Sequence, residues 1–336
     1  AKNSSTSLWG AVVSLSESPK KEGLLWAGTD DGLVNVTEDG GQTWRKLDSI
    51  PGVPKLAFVA DLEASNHDPQ VGYAVFNNHK QGDYAPYLFK TGDGGKTWTS
   101  IAGDLPAKSP VWTVAEDPID PNLLFAGNEL GAYFTLDGGK KWLKFGGVPT
   151  IQVRDIAIQH RENDLILATF GRGFYILHDY SPLRGATQTV TQRATLLPVK
   201  DARMYIPAQP LGGGPRGSQG DDLYTVANQP LGATITYYLR DPLRTLKQRR
   251  QQAEKSALQR NAAVPFPSWD SLRAEEQEEA PAVVLTITDE PGNVVRRLTG
   301  PVTAGFQRVT WDLRTHASMP VAGGGSGGFG GGGGGG

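Results

Sequence analysis

The sequence predicts an all-β fold of β-propeller blades followed by a β-sandwich, and three observations carry the prediction. The first is an eight-residue pattern that occurs three times, as Thr37 to Trp44, Thr91 to Trp98 and Thr135 to Trp142, each with Asp-Gly-Gly at its centre. The second is spacing: steps of 54, 44 and 42 residues separate Asp39, Asp93, Asp137 and Asp179, which suits four short strands per unit. The third is alternation. Runs of period two lead into each pattern and a short run led by Trp leads out, which is the signature of a hairpin.

The residue types suit a closed turn. The Asp side chain can accept backbone N–H groups across its own loop, and the Gly pair supplies positive φ angles. Each Trp presents ~150–250 Å² of largely apolar surface, and the pattern predicts that a neighbouring repeat covers it. In the first unit Val12–Leu15, Leu24–Gly28 and Gly32–Val36 read as strands before the turn. The second repeats the order with Leu56–Val59 and Gly72–Phe76, and carries an insertion from Asn77 to Pro86 of the kind that shapes a binding face. The third runs through Val111–Val114 and Leu123–Gly127. The fourth runs through Val153–Ile158, Leu165–Thr169 and Gly173–Leu177, with His178-Asp179-Tyr180 in place of the turn.

The pattern resembles the Asp-box, or BNR repeat, whose consensus is Ser/Thr-x-Asp-x-Gly-x-Thr-Trp. Thr37, Asp39, Gly41, Thr43 and Trp44 match it, as do Thr91, Asp93, Gly95, Thr97 and Trp98. Thr135, Asp137, Gly139 and Trp142 match with Lys141 in place of Thr. The resemblance implies a structural turn placed away from any active centre. Over residues 10–180 the chain looks most like the bacterial sortilin-type group of these propellers, through Leu25 to Val34 and Ala168 to Asp179. That likeness implies a secreted, periplasmic or cell-surface protein with a peptide or protein ligand.

Domain boundaries follow composition. Residues 1–185 read as the last four blades of a propeller and 186–222 as a linker containing the glycine run 212–218. Residues 223–320 resemble the immunoglobulin-like sandwich that follows such propellers, through Asp289, Gly292, Val295 and Arg296 and then Gly305, Val309, Trp311 and Asp312. A charged helical insertion spans about 243–280, basic in its first half and acidic in its second, and residues 321–336 form a glycine-rich tail with nothing to bury. Four blades lie at the low end of the usual ~4–8, so another chain or a cleaved segment is expected to complete the ring.

Composition excludes several functions. Among 336 residues, 33 Lys and Arg stand against 35 Asp and Glu, a net charge of -2 that gives no general pull toward nucleic acid. Zero cysteines remove thiol catalysis and thiolate metal sites, and five scattered His have no ligand spacing. No run reaches a membrane span. A calcium loop needs about 6–8 oxygens, more than an Asp flanked by glycines supplies. No metal and no cofactor is predicted.

Three functions remain: a binding or scaffold protein of the cell envelope, a glycoside hydrolase acting on a polysaccharide, and a structural subunit of a larger envelope assembly. Xyloglucan-active propellers, which the box resembles, use paired carboxylates as general acid and base on loops of different blades. Thr29-Asp30-Asp31-Gly32 has the local form of one such site, making Asp30 the candidate catalytic residue, with Asp83, Glu116 and Asp155 as unranked partners. A sialidase would need three arginines in register, and only Arg154 and Arg172 lie near blade ends. Trp26, Trp112, Tyr73 and Phe125 sit in strand runs and read as inter-blade core.

Overall fold

The computed structural model describes residues 10–47, 49–187, 189–204, 229–264 and 266–315. The glycine run 212–218 and the tail 321–336 lie outside them. The chain divides into two units, Ala1–Leu197 and Pro198–Gly336.

The first unit is a row of antiparallel sheets, each an up-and-down meander in sequence order. Blade one holds β1 (Val12–Glu17), β2 (Leu25–Thr29), β3 (Val34–Thr37) and β4 (Arg45–Leu47). Blade two holds β5 (Phe58–Ala64), β6 (Gly72–Asn77), β7 (Tyr87–Thr91) and β8 (Thr99–Ser100). Blade three holds β9 (Val111–Glu116), β10 (Leu124–Asn128), β11 (Gly131–Thr135) and β12 (Trp142–Lys144). Blade four has only three strands, β13 (Val153–Gln159), β14 (Asp164–Thr169) and β15 (Phe174–Leu177), where the spacing predicted four. The cause lies at Tyr180. Its buried hydroxyl donates to Asp117 of blade three at 2.7 Å, and Arg184 holds the same carboxylate at 2.7–2.9 Å, so the chain turns away to that anchor instead of pairing with β15.

The first strands β1, β5, β9 and β13 pack side by side, and the blades interlock through apolar layers. One layer joins Leu24, Trp26, Val34 and Val36 to Val59, Leu62, Ala74 and Phe76; the next joins Tyr73, Val75 and Leu88 to Val114, Leu124 and Trp142. Gly28 makes the first approach close, since a Cβ there would meet Val59 Cγ1 at 2.4 Å.

Each box is a self-contained knot. Buried Thr37, Thr91 and Thr135 donate to Asp39, Asp93 and Asp137 at 2.7, 2.8 and 2.7 Å, and accept from Gly41, Gly95 and Gly139 N–H at 2.9, 2.9 and 3.0 Å. Thr43 and Thr97 hydroxyls close the first two knots at 2.6 Å, and Lys141 closes the third with its N–H alone. Both glycines of each box have positive φ, from 69° to 98°. The Thr43 and Thr97 bonds hold Asp39 and Asp93 at about 2. Ionised carboxylates therefore tie these turns above about pH 4, and the tie is lost as pH falls toward 2.

The tryptophans differ from expectation. Trp142 is buried and donates to Ile101 O at 3.0 Å, and Trp98 meets Trp26 edge to face at 6.0 Å. Trp44 and Trp98 both donate to the second glycine carbonyl of their own turn, Gly41 at 3.1 Å and Gly95 at 3.2 Å, but among the described residues Trp44 has no neighbour like Trp26 and is half-exposed.

The first unit ends in short β16 (Ala194–Leu196). The second unit pairs β17 (Ala233–Leu239) with β20 (Gly305–Trp311) and contains the hairpin β18 (Val283–Thr288) to β19 (Val294–Gly300). The insertion forms α1 (Leu246–Gln259), begun by a Thr245–Gln248 capping box, and α2 (Trp269–Gln277). Arg250 of α1 forks onto Glu275 of α2 at 2.6 and 2.9 Å. No helix of the described residues is long and apolar enough to cross a membrane.

Thr91→Val removes the hydroxyl that both donates to Asp93 and accepts from Gly95 in a buried turn. It should lower unfolding stability by ~1–3 kcal/mol, read by thermal denaturation at pH 7; an unchanged melting temperature would show that the box contributes nothing.

Candidate functional site

The boxes and the turns between first and second strands share one end of the blades. Gly40, Gly94 and Gly138 N–H donate to Gly23, Gln70 and Asn122 carbonyls at 3.0, 2.8 and 3.0 Å, which ties the two kinds of turn together. The opposite end carries the loops between second and third strands and the segments that enter each new blade. The candidate site lies there, where three blades contribute side chains.

Its centre is Trp112, at the start of β9. The Arg154 guanidinium, at the start of β13, lies 3.7 Å from the ring centroid and 5.6 Å from that of exposed Phe170. Trp112 Nε1 donates to Glu129 at 2.9 Å, and Gln152 donates to the same oxygen. On the other side His79, from the blade-two insertion, meets the indole at 5.2 Å and 61°. Burial pushes the His79 imidazole below its ordinary range, so it is neutral at pH 7.

The insertion from Asn77 to Pro86 is held in shape from within. Asp83 accepts from Asn78, Ala85 N–H and Tyr87 at 3.1, 3.1 and 2.7 Å, while Asn77 accepts from His79 N–H at 3.1 Å. Lys80 of this loop lies 6.0 Å from the Phe58 ring, and Tyr84 is exposed at its tip. The face thus offers fixed cations over aromatic rings beside exposed aromatic surface.

A second group of charges lines the first strands. Asp61 accepts from Thr113 Oγ1 at 2.9 Å and Val114 N–H at 3.0 Å, and Glu63 accepts from Glu116 N–H at 2.9 Å. Both keep a strip of accessible surface, yet protein atoms crowd them on every other side. Burial, with the charge of Asp155 added, raises Asp61 to about 6. Burial, with Asp61, Glu116 and Asp155 nearby, raises Glu63 to about 8. Glu116 itself is buried and takes Ser65 Oγ, Asn66 N–H and Tyr73 OH at 2.8, 2.6 and 2.7 Å.

The sequence-derived candidates fall as follows. Asp30 clasps Ala11: its Oδ1 accepts from Ala11 N–H at 2.9 Å while its own N–H donates to Ala11 O at 3.0 Å. Asp83 pins its loop, Glu116 is enclosed, and Asp155 stands exposed on β13. Trp26, Tyr73, Phe125 and Trp112 are all buried, and Trp112 is at the same time the floor of the candidate site. Arg172 is an exposed turn residue between Gly171 and Gly173, both of positive φ. Sequence reasoning missed His79, Glu129, Gln152 and Phe170, which only the blade order brings together. It also missed Asp61 and Glu63, whose signal was two acids at period two in an otherwise apolar strand. Among the described residues no group of three or more His, Asp or Glu is placed to hold a metal ion.

No family model and no curated protein matches the chain. Among solved structures the chain is similar to YCF48 bound to D1 peptide, at 16% identity and a TM-score of 0.40 over 51% of this chain and 52% of that one. It is similar to YCF48 from Cyanidioschyzon merolae at 18% identity and a TM-score of 0.37, over 50% and 53% of the two chains. It is also similar to a GH74 enzyme from Niastella koreensis at 14% identity and a TM-score of 0.42, over 51% and 29%. The chain therefore spans about half the length of the first two structures and under a third of the last.

The raised carboxylates make a pH prediction. A carboxyl whose pKa is higher in the folded state binds more protons there, so its contribution to stability is lost as pH rises between the unfolded and folded values. For Asp61 and Glu63 that window runs from about 4 to about 8. Melting temperature should fall from pH 5 to pH 8, and Glu63→Gln, which keeps an acceptor for Glu116 N–H, should flatten the fall. An equal slope in the variant would mean that Glu63 titrates normally.

Proposed function

We propose that the chain is a non-catalytic binding module of the secreted or cell-envelope class, taking a peptide or protein segment on the blade end that carries Trp112. The observation that supports this most is the Arg154 guanidinium stacked on Trp112 beside exposed Phe170. It is a cation held against a ring and itself exposed, a suitable partner for carboxylates or backbone carbonyls. Tyr84 and the self-pinned insertion extend the surface. Such aromatic and Arg anchors typically carry most of an interface's energy.

The hydrolase reading draws on Glu63, which at about 8 is protonated at neutral pH as a general acid must be. Against it, Glu63 and Asp61 lie within the wall of first strands and accept the N–H groups of β9, while Asp30 is occupied with Ala11. A pair of carboxylates free to face a sugar from two loops is what the chemistry needs.

The test is capture from a synthetic array of short linear peptides, run beside reducing-end release from xyloglucan. Sequence-dependent capture is expected, weakened roughly ten-fold by Arg154→Ala and by Phe170→Ser with unchanged melting temperature. Indiscriminate capture would overturn the proposal. Sugar release abolished by Glu63→Gln would replace it with the hydrolase.

A further inference from the structure

A helix laid against a domain usually turns an apolar stripe inward, at positions i, i+3, i+4 and i+7. On the side of α1 nearest the β19–β20 loop those positions are Gln248, Gln251, Gln252 and Lys255. With Arg244, just before the helix, they line a cleft of about 510 Å³ in the second unit, and Leu243 and Val302 supply its apolar lining. That volume falls within the ~300–1,000 Å³ of small-molecule sites. The face of α1 toward α2 has different work, since Arg250 there is forked onto Glu275 and bonded to Glu254 at 2.7 Å.

The cleft is held in shape by bonds that leave its polar lining unspent. Leu243 N–H donates to Val302 O at 2.9 Å, which ties the chain entering α1 to the β19–β20 loop. Gln307 fixes the loop itself by donating to Thr303 Oγ1 and O at 2.9 and 3.0 Å. The capping box engages Gln248 Oε1 with Thr245 N–H at 3.1 Å and leaves the amide NH₂ over. Among the described residues the side chains of Gln251, Gln252, Arg244 and Lys255 make no hydrogen bond and no ion pair. The acids of the helical pair are spent elsewhere: Glu254 and Glu275 on Arg250, and Glu278 on Leu246 N–H. The cleft is therefore lined by two cations and no acid.

We propose that this cleft binds an acidic saccharide, a uronic-acid disaccharide unit whose carboxylates face Arg244 and Lys255. The two cations call for an anionic ligand. The glutamines narrow the class. A primary amide both donates and accepts, as a sugar hydroxyl does, whereas a bare inorganic anion would leave the carbonyls of Gln251 and Gln252 unpaired. Leu243 and Val302 offer apolar contact to the C–H face of a ring. Length sets the size: Lys255 lies seven residues beyond Gln248, ~10 Å along a helix, more than one ring spans and enough for two linked rings. The proposal is independent of what the Trp112 end binds.

The test is isothermal titration calorimetry of the full chain at pH 7 with digalacturonate, run beside maltose and inorganic phosphate. Saturable binding of digalacturonate with a dissociation constant below about 1 mM is expected, and none of maltose, which has the hydroxyls without the carboxylates. Arg244→Ala and Lys255→Gln change exposed side chains and should leave the circular dichroism spectrum unchanged while each weakens binding roughly ten-fold, the effect expected for a charge-assisted bond. Gln251→Leu should weaken it with the charge intact, and equimolar phosphate should not displace the sugar. Absence of digalacturonate binding, equal binding of maltose, displacement by equimolar phosphate, or an affinity unchanged in all three variants would each overturn the proposal.

Discussion

The innermost strand of a propeller blade has a sheet neighbour on only one side, so along its other edge the backbone N–H groups need partners from somewhere else. In this chain the preceding blade supplies them with side chains. Ser16 of β1 accepts from Ala64 N–H at 2.9 Å, Asp61 of β5 from Val114 N–H, and Glu63 from Glu116 N–H. The contact that satisfies the edge also sets blade against blade in register, so that Leu62 and Val114 land in the apolar layers beside them. Placing carboxylates there has an electrostatic cost. Burial, with the charge of nearby Asp155 and, for Glu63, that of Asp61 added, raises both Asp61 and Glu63.

The two ends of the blades divide the remaining work. At the box end nearly every polar atom is consumed internally: Thr, Asp and the two Gly amides close each knot, and Asp117 collects Tyr180, Arg184 and two backbone amides. Such an end is stable and chemically quiet. At the other end the polar groups organise one another but leave surface over. Glu129 holds Trp112 and Gln152, Trp112 supports Arg154, and Phe170 and Tyr84 remain in solvent. The long insertion of blade two adds to this end and not to the other.

Much of the fold was legible in the sequence because the box is a local structure. Its threonine, aspartate and glycines interact within five residues, so spacing alone located three hairpins and, by counting, the strands between them. Legibility ended where long-range contacts decide. The half-exposed Trp44 was unforeseen because its identity to Trp98 and Trp142 said nothing of which tryptophan meets a partner from another blade, as Trp98 meets Trp26. The missing fourth strand of blade four depends on Tyr180 reaching Asp117, sixty-three residues earlier in the chain. The cluster at Trp112 draws on residues from 79 to 170 and has no sequence signature. The immunoglobulin-like reading of the second unit likewise drew on short motifs; the described residues give the β17–β20 pair and the β18–β19 hairpin that hold those motifs.

One substitution pattern links the wall to the ends of the row. At the position of Asp61 the blades carry Ser14, Asp61, Thr113 and Asp155, and at that of Glu63 they carry Ser16, Glu63, Ala115 and Ala157. Acceptors are strongest on blade two, an interior blade of the row, where both carboxylates are engaged. Ala115 and Ala157 can accept nothing, so the junction after blade three relies on apolar packing and on contacts outside the strand wall, Gln152 with Glu129 and Arg154 with Trp112. A carboxylate facing solvent costs no desolvation, whereas Glu63, enclosed with no cation beside it among the described residues, carries a raised pKa. The exposed Asp155 and the enclosed Asp61 therefore show one blade position in two settings, facing solvent on β13 and covered by β9 on β5.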